Sequence, residues 1–255
     1  MITIGSRIYG LAAVALGLVG MAWGDFTLPW QPVPEGAPGY ATLAYVAAAL
    51  FCVGGIGLQW RRSAPAAALL LAALALVFAL CWSRRIFSHP EIFAVWSGTA
   101  EQIALCIGGL AAFACLRPAD DRRAMRLALV CRLIFGLCLI AFGCAHFLYV
   151  RETAAMVPAW LPPGPRAWAW VTGGAHLLAG LALLSGVLDR LAARLLTLMF
   201  VIFGALVWAP QLFSDPHAHM AWGGNAINFA LIGAAWAVAD MIARFRPTLP
   251  VASPT

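Results

Sequence analysis

The sequence contains no lysine; all 16 of its basic residues are arginine. Charge of either sign is scarce, at 10%, where soluble domains carry about 25%. So few charges cannot clothe a water-facing surface on a chain that is 63% hydrophobic with mean hydropathy +0.88. The solvent for most of this chain must be lipid. Paired cysteines are missing too. The seven cysteines (52, 81, 106, 115, 131, 138 and 144) form no CxxC, and so lack the clustered spacing of a zinc site or a disulfide framework. They read as small buried hydrophobes, and Cys144, two residues before His146, is the one beside candidate chemistry. There is no phosphate loop, no nucleophile elbow and no HExxH. A pI near 9.2 in a soluble protein would suggest nucleic acid. Here the arginines flank apolar runs, so nucleic acid is not an expected partner.

What is present is eight apolar spans, at about 7–24, 41–59, 64–82, 96–116, 126–146, 167–187, 190–210 and 222–243. Each has roughly the 20 residues needed to cross the hydrocarbon core. Backbone polar groups find no water there, so each span must be a helix. The first has Arg7 ahead of it, as a signal peptide would, but the repeat described below argues that it is retained. With the N-terminus inside, the inner segments hold Arg7, Arg61, Arg62, Arg117, Arg122, Arg123, Arg126, Arg132, Arg190, Arg194, Arg244 and Arg246. The outer loops hold only Arg84, Arg85, Arg151 and Arg166. Arginine bias toward the cytoplasm predicts a multi-pass plasma (inner) membrane protein with both termini cytoplasmic. The arginine-free, proline- and glycine-rich segment 24–40 reads as an ordered outer loop built from turns. Nine tryptophans, Trp23, Trp30, Trp82, Trp96, Trp160, Trp168, Trp170, Trp208 and Trp222, fall at or near the outer side, against Trp60 and Trp236 inside. They form either an interfacial belt or a tryptophan-lined outer vestibule.

The sequence also matches itself at an offset of 126 residues: Gly10 on Gly136, Gly17 on Gly143, Gly54 on Gly180, Trp82 on Trp208, Trp96 on Trp222 and Gly98 on Gly224. With small gaps, Pro29, Trp30 and Pro32 fall on Pro158, Trp160 and Pro162. The spans superpose four on four. Four is even, so the halves point the same way, as a parallel repeat about the membrane normal. The expected fold is all-α and polytopic: eight transmembrane helices as two parallel four-helix repeats, 1–118 and 119–255. The seam is the charged inner loop around Pro118.

The second half carries FGCAHF at 142–147, VPAWLPP at 157–163, Thr172-Gly173-Gly174 and a final WGGNAINFAL helix. With these motifs, residues 127–243 resemble the DoxX-like membrane proteins, and the first half does so only through the repeat. The resemblance implies a four-helix unit and, for some members, quinone-dependent thiosulfate oxidation or membrane thiol redox complexes. No set of catalytic residues carries over, and the doubling of the unit departs from the family pattern.

Ionisable side chains inside a span cost about 2.5–3.5 kcal/mol on insertion scales, so each polar residue there needs a reason. Glu101 and Gln102 lie early in the fourth span, and Asn225 and Asn228 early in the eighth. His146 ends the fifth, and His176 lies about nine residues into the sixth. All fall in the outer half of the bilayer. Under the 126-residue shift Gln102 matches Asn228 and Thr99 matches Asn225, but His146, His176 and Glu101 have no polar counterpart. A site joining the halves would combine the imidazoles of one with the carboxylate of the other. Three readings are open. The groups form helix-to-helix hydrogen bonds. Or His146, His176 and Glu101 relay protons to a quinone, with Trp160, Trp222, Asn225, Asn228 and Gln102 around the head group. Or the two imidazoles and the carboxylate bind a transition metal or haem, although no ligand spacing assigns a metal. The functional expectation is a quinone-linked oxidoreductase, or its membrane subunit with a redox partner protein, opening outward. The alternative is a non-enzymatic anchor or carrier for a partner or a small hydrophobic molecule. Among lesser features, His217-Ala-His219 resembles a surface chelate or a plain solvated loop. Arg84 and Arg85 are expected to meet lipid phosphate or Glu91, or, with Arg151 and Arg166, to attract an anion such as thiosulfate. Asp240 and Arg244 have the spacing of an i,i+4 ion pair.

Overall fold

The structure is a computed structural model that describes residues 2–245; Arg246, counted above among the inner arginines, lies outside the described residues. The helices are α1 (Ile4–Trp23), α2 (Tyr40–Gly57), α3 (Ala64–Ser88), α4 (Phe93–Cys115), α5 (Arg122–Leu148), α6 (Val150–Met156), α7 (Pro165–Ser185), α8 (Asp189–Phe203), α9 (Ala209–Ser214) and α10 (His219–Phe245). A π-turn, Gly204–Trp208, joins α8 to α9. Among the described residues eight helices are long and apolar enough to cross a membrane, α8 to α9 counting as one. Each corresponds to one span read from the sequence. The chain is a multi-pass integral membrane protein.

Burial separates centre from periphery. In α4 and α10, 72% of the apolar window is buried, against 28% in α2 and 22% in α8–α9. α1 packs on α2 and α10, α4 on α3, α5 and α10, and α5 on α7. In lipid, helices associate by close backbone approach rather than by the hydrophobic effect, and glycine permits it. Gly233 of α10 lies against the backbone of Tyr9, and Gly5 of α1 against that of Ala237. Gly10 of α1 meets Gly55 of α2, just as Gly136 of α5 meets Gly180 of α7. Trp82 packs on Gly98, and Trp208 on Gly224. The Tyr9 hydroxyl then ties α1 to α4 by donating to the Leu105 carbonyl at 2.7 Å.

Helix ends follow local chemistry. Thr3 accepts from the Ser6 N–H to cap α1. Asp121 caps α5 by accepting from Arg123 and Ala124 N–H, and the Arg117 guanidinium beside it, followed by those N–H groups, holds its carboxyl below the ordinary range. The loop between α1 and α2 is turns, as read from its composition, but it folds inward: Thr27, Trp30 and Gln31 are buried. The segment after α5 contains the short helix α6, which its prolines and polar residues concealed.

Two ionic expectations are corrected. Asp240 does not pair with Arg244. Its carboxylate accepts from Gly5 N–H at 3.0 Å, because the start of α1 presents N–H groups with no partner in their own helix. Arg244 donates instead to the Arg117 carbonyl at 2.6 Å. Glu91 faces His89 at 3.5 Å, whereas Arg85 lies 4.9 Å over the Trp82 ring. The polar residues named above also omit Asp189, which is buried and receives Arg132 at 3.1 Å, joining α5 to the start of α8.

Candidate functional site

His146 and His176 come together. Their rings lie 4.8 Å apart, centre to centre, where α5 crosses α7. Gly173 permits this crossing, since a side chain there would strike the His146 Cβ. Each Nδ1 faces the carbonyl one turn earlier, Phe142 for His146 and Thr172 for His176, both at 2.9 Å. A carbonyl only accepts, so both Nδ1 atoms carry hydrogen. Phe142, Phe200 and Phe203 enclose the pair, and His176 is fully buried. The histidines are thus oriented imidazoles in an apolar cage.

Glu101 sits elsewhere. It lies beside the Trp30 indole, which the α1–α2 loop inserts into the bundle. Trp30 meets Trp208 edge to face at 5.8 Å. Among the described residues Glu101 makes no ion pair with either histidine, and no three His, Cys, Asp or Glu side chains gather into a metal-binding group.

The π-turn connects these regions. Pro210 has no N–H to offer the Leu206 carbonyl, so a regular α-helix cannot run through it. The chain closes a wider turn, with Ala209 N–H donating to the Gly204 carbonyl. Trp208, its last residue, receives the Asn225 amide on its carbonyl at 2.7 Å; Asn225 also donates to Ala221 at 2.9 Å. Asn228 donates to the Phe200 carbonyl at 3.2 Å. Gln102 lines a sealed, water-sized space of about 10 Å³ with Tyr9 and Gln31.

The large cavity is a groove of about 730 Å³ between α1 and α10, within the usual range of small-molecule sites. Its walls are mainly apolar, with Ala15, Leu18, Val19 and Phe229 among them. Trp23, His217, Trp222 and Asn225 supply ring faces and polar atoms. Of the residues singled out from sequence, Trp23, His217, Trp222 and Asn225 line it. His146, His176, Glu101, Gln102 and Asn228 do not, and Trp160 is 71% exposed on its loop. Of the HxH residues, His217 is exposed at the groove, whereas His219 opens α10 and stacks on Trp23 at 5.0 Å. Sequence reasoning placed Trp23 in the outer belt or vestibule and His217 in a chelate-like loop, but joined neither to Trp222 and Asn225. It also missed a legible signal: a proline six residues before a tryptophan at three helix starts. In each, the indole N–H donates to that proline's carbonyl: Trp96 to Pro90, Trp168 to Pro162 and Trp222 to Pro216.

Residues 127–210 match the DoxX family model. That segment of the membrane protein is DoxX-like. The DoxX match begins in α5 and ends at Pro210. It holds both histidines, their phenylalanine cage and the π-turn. Glu101, Trp222 and Asn225 lie outside the DoxX match, as does α10. No curated protein and no solved structure matched the chain.

Proposed function

We propose that this DoxX-like protein is a quinone-linked membrane redox protein, or the membrane subunit of such an oxidoreductase, with its quinone in the α1–α10 groove. The groove carries the reading: its volume of about 730 Å³, apolar walls, tryptophan faces and a buried-side amide suit a ring with a polar edge and a greasy tail. In this reading the chain is two parallel four-helix units, 1–118 and 119–255, in the plasma membrane with both termini cytoplasmic. The paired contacts Trp82–Gly98 and Trp208–Gly224, and Gly10–Gly55 and Gly136–Gly180, support the duplication. So does the exchange by which α1 packs on α10 and α4 on α5. The groove then lies at the outer side of the seam between the units. His146 and His176 hold and pass protons for the quinone couple, Glu101 serves the same end through the Trp30–Trp208 region, and a redox partner supplies or takes the electrons.

Purification followed by lipid extraction tests this. The wild type is expected to carry a quinone, and Trp222→Ala to lose most of it. A wild type devoid of quinone, and unable to take one up, overturns the reading. One observation favours the alternative of a non-enzymatic carrier or anchor: neither histidine nor Glu101 lines the groove. His176→Leu and Glu101→Gln separate the two. Quinone turnover with the partner falls in both variants if the protein is a redox subunit, and is unchanged if it only carries.

A further inference from the structure

The groove's inner polar wall accepts hydrogen bonds but has none to give. Asn225 lines it, yet its amide nitrogen is engaged by two carbonyls, Trp208 at 2.7 Å and Ala221 at 2.9 Å. Both partners can only accept, so they fix which end of the amide is nitrogen. The Trp222 indole N–H is engaged as well, by the Pro216 carbonyl at 2.9 Å. What remains is Asn225 Oδ1, which accepts no hydrogen bond among the described residues. It stands six residues, about 9 Å, along α10 from the outer helix end. The other nitrogen-bearing side chains of the groove, Trp23 and His217, stand at its outer lip, the first 37% exposed and the second exposed too. Water competes for them there. The remaining walls, among them Ala22, Leu212, Ala226 and Phe229, have apolar side chains that supply no donor.

An acceptor-only anchor in an apolar wall discriminates by hydrogen-bond polarity. A ligand presenting a carbonyl would set lone pair against lone pair and leave both unpaired. A ligand presenting an O–H would satisfy Oδ1. Resting on the quinone reading above, we propose that the groove selects the reduced, quinol form, through an O–H donated to Asn225 Oδ1. Asn225 is then a specificity-determining residue for the oxidation state of the ligand. One net hydrogen bond predicts a preference of about threefold to tenfold. Tighter binding of the reduced form raises the potential of the bound couple, by about 30 mV for a tenfold preference in a two-electron couple.

The test is equilibrium dialysis, under argon, of the full-length protein in detergent. The ligands are a short-chain benzoquinol, the matching benzoquinone and the dimethyl ether of the quinol, which keeps the ring and the tail but has no donor. The quinol is expected to bind about threefold to tenfold more tightly than the quinone, and the ether to fall to the quinone's level. Asn225→Leu is expected to bring all three together. Because the ether changes the ligand and leaves the protein untouched, the comparison stands even if that variant folds poorly. Equal binding of quinol and quinone, or an ether as tight as the quinol, overturns the selectivity while leaving the groove as a quinone site. Failure of all three to bind overturns the groove reading and the selectivity with it.

Discussion

Asn225 and Asp240 show how a single polar side chain in α10 serves a helix other than its own. Asn225 holds the end of the π-turn through the Trp208 carbonyl. Asp240 caps α1 through Gly5. Removing a cap costs about 0.5–2 kcal/mol, so Asp240→Ala is expected to lower the midpoint of thermal unfolding in detergent, whereas Arg244→Ala, whose partner is a single exposed-side carbonyl, has a smaller effect. Asp121 supplies a pH dependence. Its folded carboxyl titrates below its unfolded value, so its contribution is present above the unfolded pKa and is lost as pH falls through the folded one. Asp121→Asn is expected to flatten that acid-side loss in unfolding curves measured against pH. At this scale the sequence exposed which residues are unusual and concealed their partners. Asn225, His146 and His176 stand out because polar groups in lipid are expensive. That the two histidines touch depends on where α5 crosses α7, which Gly136, Gly143 and Gly173 set by close approach. A crossing point between helices distant in sequence leaves no local pattern to read.

All eight membrane helices were legible as elements, because an apolar run of sufficient length has one outcome in lipid. Their ends were less so. α3 and α5 run past their apolar spans into polar residues, since a helix continues beyond the hydrocarbon boundary while its backbone bonds hold. The π-turn was hidden inside an unbroken apolar run, although Pro210 is its cause and is visible. Pro210→Ala is expected to let α8 run regularly into α9, stabilising the fold by about 1 kcal/mol or more. The same change shifts the Trp208 carbonyl that holds Asn225 and moves Leu212, which lines the groove, so quinone retention falls as thermal stability rises. Both are read on the same detergent-purified variant. Gly233→Leu acts in the opposite sense. Its side chain would enter the Tyr9 backbone, and overpacking of this kind costs about 1–3 kcal/mol or more. The expected result is a sharp loss of folded, monodisperse protein, with no comparable loss for Gly36→Leu in the open α1–α2 loop, where nothing crowds the position.

For the whole molecule, the packing of helices distant in sequence decides which polar groups come together. The imidazoles lie on α5 and α7, the carboxylate lies beside the α1–α2 loop, and the groove is made by α1 and α10, the first and last transmembrane helices. The composite of His146, His176 and Glu101 suggested by the sequence is not joined by an ion pair among the described residues: the imidazoles sit against Phe200, and Glu101 lies beside Trp30, which meets Trp208. Orientation is testable apart from chemistry. A cysteine at exposed position 35 (Glu35→Cys) is expected to react with an impermeant maleimide in intact cells; labelling only after permeabilisation would invert the arginine-based topology. The location of the quinone is the central claim, and a photoreactive azidoquinone measures it most directly. After illumination and peptide mapping, the account predicts adducts on α1 and α10, around Trp23, Trp222 and Phe229. Adducts confined to α5 and α7, around His146 and His176, would contradict it.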